Sequence, residues 1–297
     1  MRGDLAQPTA LVTVAALCLF LCGCVRDPPP SRFPSADDAL ARMHATYACS
    51  RGVQGEAKVD YYGDQGRVRG SVIYTAMLPE QVRLEVFSPF GVVLSTLTAD
   101  GDVFALSDVE NRQYLYGPAS ACNVARFTRV PVPAQALVQL LRGEAPVLAH
   151  GPADARIEWD GDYVVEIRSR HLANQEIRLE PLPEDWNLPW EKQRVRVLEV
   201  AVEQQEIELY RAELRDHRAA RTAPARVDPD GLGADIPPSG PWCRAQVPRA
   251  VRLQVPGTDQ DLVLTTEKVS HNPPLIDGMF RQQIPGGVVV RYADCGR

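Results

Sequence analysis

From Val53 to Tyr61 the chain alternates without a break. Val53, Gly55, Ala57, Val59 and Tyr61 fall on one side, and Gln54, Glu56, Lys58 and Asp60 on the other. Successive side chains of a strand point to opposite faces, so this pattern specifies a strand with one face buried and the other wet. Such half-buried strands belong to antiparallel sheets, because parallel sheets are covered on both faces and read as continuous apolar runs. Gly63-Asp64-Gln65-Gly66 turns the chain, and further strands are expected at about 67–77, 81–88, 92–99, 102–108 and 112–116. Their connections are too short for parallel crossovers, so they form a meander. The 25 prolines among 297 residues argue in the same direction, since proline breaks helix interiors and is tolerated at strand edges and in loops.

Helical periodicity is confined to short stretches. Ser35 is placed to cap a helix that begins at Ala36, with Asp37 and Asp38 in its first turn and Leu40, Met43 and Tyr47 on one face. Two more short helices are expected at 119–127 and 133–141, the second ending at Gly143. Strands resume at about 155–159 and 162–169, joined by Asp160-Gly161, and continue at 174–180, 193–201 and 205–215. A loop rich in Ala, Pro, Asp and Gly follows from 218 to 242, and then strands near 247–255, 260–269 and 286–293. The expected fold is mainly β (α+β): a strongly curved antiparallel sheet, a half-open β-barrel, with helices covering one face. A sheet of about ten strands must twist and curl. The pattern leaves open whether the inner face encloses an apolar cavity or is filled by the helices.

The N-terminus carries an uncharged run from Ala10 to Gly23, long enough for a signal-peptide core and short for a membrane span. Its end, Leu21-Cys22-Gly23-Cys24, looks like a bacterial lipobox, which makes Cys24 the lipid-attachment residue. Val25 follows it, a pattern that points to the outer membrane, with the chain facing the periplasm. The expected division is a signal peptide at 1–23, a lipidated tether at 24–35, and a single domain at 36–297 with a loop-rich insertion at about 182–245. Cys49, Cys122, Cys243 and Cys295 remain in the mature body, and four cysteines in an oxidising compartment allow three pairings. Proximity within each half favours Cys49 with Cys122 and Cys243 with Cys295.

Several function classes are disfavoured. The net charge of −6, from 38 acidic and 32 basic residues, does not invite a phosphate backbone, so no nucleic-acid partner is expected. No G-x-S-x-G occurs, and the five histidines lie far apart without metal-type pairing. The acidic stretch from Asp228 to Asp235 departs from the EF-hand spacing and reads as a solvated loop. Neither enzyme activity nor a cofactor or metal is expected.

One set of motifs is more specific. Phe87-Ser88-Pro89-Phe90-Gly91-Val92-Val93-Leu94 is followed by Thr98-Ala99-Asp100-Gly101, by Gln113-Tyr114, and by Val130-Pro131-Val132-Pro133 with Leu137 and Leu140-Leu141-Arg142-Gly143. This series resembles the LolA/LolB family of lipoprotein carriers and outer-membrane receptors over roughly residues 36–170. The resemblance implies a half-open barrel whose hydrophobic cavity holds acyl chains of lipoproteins or phospholipids. Val59, Tyr61, Leu84, Val86, Leu97, Leu137, Leu140 and Leu141 are the candidate lining. It also implies a membrane-inserting tip at Phe90, supported by the turn residues Ser88, Pro89 and Gly91, and a periplasmic LolA-like carrier as a further partner. The insertion and the extra cysteines depart from that pattern. They leave a second reading in view, a structural or assembly lipoprotein that binds a protein partner at the cell envelope.

Overall fold

The computed structural model describes residues 26–63, 66–231 and 233–295. The signal segment and the lipidation site Cys24 lie outside the described residues. Helix α1 spans Ala36–Tyr47, α2 Ala121–Thr128 and α3 Ala134–Arg142. Strands β1 to β6 run Gly52–Gly63, Gly66–Met77, Gln81–Phe87, Val93–Ala99, Val103–Asp108 and Gln113–Pro118. Strands β7 to β11 run Ala155–Trp159, Tyr163–Arg168, Ala173–Pro181, Val195–Gln204 and Ile207–Ala219. The last four are β12 Arg221–Thr222, β13 Gln246–Val255, β14 Gln260–His271 and β15 Val289–Tyr292.

All belong to one sheet, in the order β15-β6-β5-β4-β3-β2-β1-β14-β13-β11-β10-β9-β8-β7, with β12 beside β14. The alternation that marks β1 is satisfied on both flanks: Val59 lies opposite Gly70 of β2 and Leu264 of β14. Two meanders, β1–β6 and β7–β11, are thus joined through the late strands β13 and β14. Two pairings depart from the expected antiparallel pattern, β15 on β6 and β12 on β14, both parallel. The sheet is also not closed into a barrel. Its edges, β7 and β15, do not pair with each other.

Flat, fourteen strands at about 4.8 Å spacing would extend roughly 60 Å. Helix α1, only about 18 Å long, packs on β7, β8 and β10, while α3 packs on β1, β2, β3 and β13 and α2 on β5. The ends of α1 and α3 also touch, through Arg142 and Tyr47. Strands from both arms therefore turn one face toward the same small group of helices, which requires the sheet to curve. One continuous apolar core lies between them.

The segment at 182–245, expected to be a loop-rich insertion, contains β10 and β11 at the strands expected over 193–201 and 205–215, and both sit inside the sheet. Irregular backbone is confined to the stretches before and after them. Residues 26–35, expected to be a tether, lie against the sheet. Pro29 and Phe33 are buried, and the Phe33 ring stands 4.7 Å from that of Tyr163. Arg26 stacks over Trp186, pairs with Glu180 and accepts the Trp159 indole N–H on its carbonyl.

The cysteines pair as Cys49–Cys243 and Cys122–Cys295, which overturns the expected Cys49–Cys122 and Cys243–Cys295. The reason is topological. Because β14 returns to β1, the chain entering β13 passes the start of β1; because β15 returns to β6, residue 295 ends beside the start of α2. Proximity in sequence was the wrong guide for a sheet whose late strands revisit its early ones.

Candidate functional site

Strand directions alternate along the sheet, so the hairpins β1–β2, β3–β4, β5–β6, β8–β9, β10–β11 and β13–β14 all turn at one end. The β3–β4 connection is the four-residue turn Ser88 to Gly91, closed by the Gly91 N–H donating to the Ser88 carbonyl at 3.0 Å. Ser88 Oγ accepts from the N–H groups of Phe90 and Val92. Proline at the second position presets the turn, and Gly91, at φ 78°, takes a backbone conformation that favours glycine. The result is that Phe90 cannot fold back: its side chain is 92% exposed. Ser88, Pro89, Phe90 and Gly91 thus form one hydrogen-bonded projection with an aromatic ring at its tip.

The candidate cavity residues come together in the apolar core beneath the helices. Leu84, Leu97, Leu137, Leu140 and Leu141 are buried in the continuous apolar cluster, and Val59, Tyr61 and Val86 pack against its edge. Helix α3 supplies the filling. Gly143 ends it in the left-handed conformation, with a backbone N–H to Leu140, and a side chain there would press on Tyr47 and Pro248. Two concavities lie elsewhere. A cleft of about 460 Å³ between β7 and β11 is lined mainly by charged residues such as Arg156, Glu166 and Arg211, and a smaller one of about 290 Å³ lies at the 226–236 loop.

A buried polar cluster fixes the lid that the helices form. The Arg142 side chain is 2% exposed; it donates to Glu144 at 2.5 Å, to the Tyr47 carbonyl at 3.1 Å and to the Ser50 carbonyl. Glu144 also meets His44 Nδ1 of α1 at 2.5 Å. Burial pulls the Arg142 guanidinium down from its ordinary range, with Glu144 opposing the shift, and burial drives the Tyr47 phenol well above its own. Beside it, His271 bridges Ser50 Oγ and the Ala245 carbonyl, both at 2.9 Å, and burial lowers its pKa. Asn272, fully buried, accepts from the Arg51 N–H and donates to the carbonyls of Cys49 and Pro241. Sequence reading quoted Arg142 only as part of a motif and passed over Glu144 and Asn272, because a lone Arg, Glu or Asn carries no periodic signal of burial. Among the described residues no group of His, Cys, Asp or Glu is arranged to hold a metal ion.

Compared with known proteins, the sequence matches no family model and no curated protein. Solved structures are similar in outline. A DUF1329 family protein from Desulfovibrio piger superposes with a TM-score of 0.52 at 12% identity, over 82% of this chain and 95% of that one. A protein described as an outer membrane lipoprotein-sorting domain, from Vibrio parahaemolyticus, gives 0.49 at 11% identity, over 83% and 97%. A LolA superfamily protein from Nitrosomonas europaea gives 0.47 at 10%, over 84% and 99%. The first of these shows a shared fold.

Proposed function

We propose that this chain is a lipoprotein anchored through Cys24 in the outer membrane. It takes up acyl chains of lipoproteins or phospholipids on the concave apolar face and passes them to the bilayer. A periplasmic LolA-like carrier is its upstream partner, and no catalytic step is involved. The observation that carries the reading is Phe90, an aromatic ring held out in solvent by a turn built from Ser88, Pro89 and Gly91. Placing that ring in lipid yields about 1.5–3 kcal/mol, and nothing in the fold recovers it otherwise.

In this state the helices occupy the concave face, so an acyl chain enters by displacing them. A chain of about sixteen carbons gains roughly 12 kcal/mol at about 0.8 kcal/mol per buried CH₂. Measured from water, this is on the scale of a whole domain's stability, about 5–15 kcal/mol. The filled face also supports a second reading, a structural lipoprotein that binds a protein partner at the envelope.

The test is saturable binding of a triacylated lipopeptide to the oxidised chain, with phospholipid as competitor, followed by a transfer assay with Phe90→Glu. Lipopeptide binding with impaired transfer by the variant supports the first reading. A folded protein that binds neither ligand moves the second to the front, and normal transfer by Phe90→Glu refutes the role of the tip.

A further inference from the structure

Phe90 is not alone. At the same end of the sheet, Tyr62 stands at the end of β1, Val109 in the β5–β6 turn, Leu172 in the β8–β9 turn and Ile207 at the start of β11, all exposed. Turn positions ordinarily carry Gly, Asn, Asp or Ser, so the apolar side chains of Val109 and Leu172 are a feature to be explained; Tyr62 and Ile207 are the strand ends beside such turns. Leu172 makes the case sharpest. It is 75% exposed and sits at φ 58°, a conformation that suits Gly or Asn and strains a leucine. It contributes neither burial nor a relaxed backbone to the fold, so folding alone does not account for it.

We propose that these hairpin ends together form a docking rim for a zwitterionic lipid surface, with Leu172 and Ile207 as a second contact wing beside the Phe90 tip. The wings are far apart in the sheet. The β3–β4 and β10–β11 hairpins are separated by β2, β1, β14 and β13, an arc of roughly 29 Å at strand spacing. Side chains that project singly from separate turns suit a fluid surface that closes around each one. Charge selects the kind of surface. Arg112 and Arg170 stand at these turns, and so do Glu110, Glu206 and Asp259, so the rim offers no net attraction to anionic headgroups. Arg26, by contrast, docks on Glu180 and Trp159, at the opposite ends of β9 and β7. The rim is therefore the end of the sheet opposite Arg26, so in a chain anchored through Cys24 it meets the same bilayer once Arg26 leaves Glu180 and Trp159.

The inference rests on the reading of Phe90 as a lipid contact and extends it to residues that reading does not use. It is tested with the mature chain carrying Cys24→Ser, so that no acyl anchor contributes, by flotation with phosphatidylcholine vesicles. The expected result is saturable binding unchanged between low and high salt, and weakened about tenfold or more by Leu172→Glu and by Ile207→Glu. Leu172→Asn separates docking from folding: it relaxes the left-handed turn, so it should raise the unfolding midpoint while weakening vesicle binding. Full binding by the Leu172 and Ile207 variants, with loss only in Phe90→Glu, overturns the rim and leaves the tip standing. Full binding by all three variants overturns both readings. Binding that salt abolishes, or no binding by the unmutated chain, overturns the rim as a zwitterionic contact.

Discussion

Removing the Glu144 carboxylate should loosen the lid more than any apolar truncation on its surface. The Arg142 guanidinium lies almost wholly out of water, and its charge is balanced only by Glu144; its other bonds go to the Tyr47 and Ser50 carbonyls. Breaking a buried ion pair from one side leaves an uncompensated charge and costs about 3–5 kcal/mol. Glu144→Ala should therefore cost about that much. Arg142→Met should cost less than this, about 1–3 kcal/mol for the carbonyls it orphans, since Glu144 keeps His44. The double variant, with no buried charge left, should be clearly more stable than the sum of the two losses predicts. The assay is urea unfolding of the oxidised protein, read as the midpoint and slope for all four members of the cycle. Additive losses, with a coupling below about 0.5 kcal/mol, would refute the claim that Arg142 and Glu144 act as a unit.

Two further predictions address the covalent and titrating parts of the fold. Non-reducing peptide mapping should return Cys49 linked to Cys243 and Cys122 linked to Cys295. The paired Cys122→Ser and Cys295→Ser variant should lose up to about 5 kcal/mol, the chain-entropy value for a separation of 173 residues; a map showing Cys49 with Cys122 would overturn the topology. Burial, aided by Arg196, holds His217 down at about 4, against about 6.5 for the free side chain. Between these values the unfolded chain binds more protons. The stability that neutral His217 contributes is thus present above pH 6.5 and lost as pH falls toward 4, by roughly 3 kcal/mol in all. His217→Gln should flatten this part of the urea midpoint against pH, and an unchanged slope would show that His217 is not its source.

Alternation along β1 and the turn signals after it were enough to place nearly every element within a few residues, because strand period and turn chemistry are local properties. The cap at Ser35, the stop at Gly143 and the exposed ring between Pro89 and Gly91 were legible for the same reason: each depends on neighbours a few positions away. What the tertiary structure alone decided are relations between distant segments. The return of β14 to β1 and of β15 to β6 chose the disulfide partners. It also set which strands flank β10 and β11 and left the edges open instead of closing a barrel. Tertiary packing alone laid α3 across β1, β2, β3 and β13, a placement that the periodicity of its leucines does not specify. Strand direction placed Phe90, Leu172 and Ile207 at one end of the sheet, a common placement that hydrogen-bonded register creates and that no local pattern in the chain encodes.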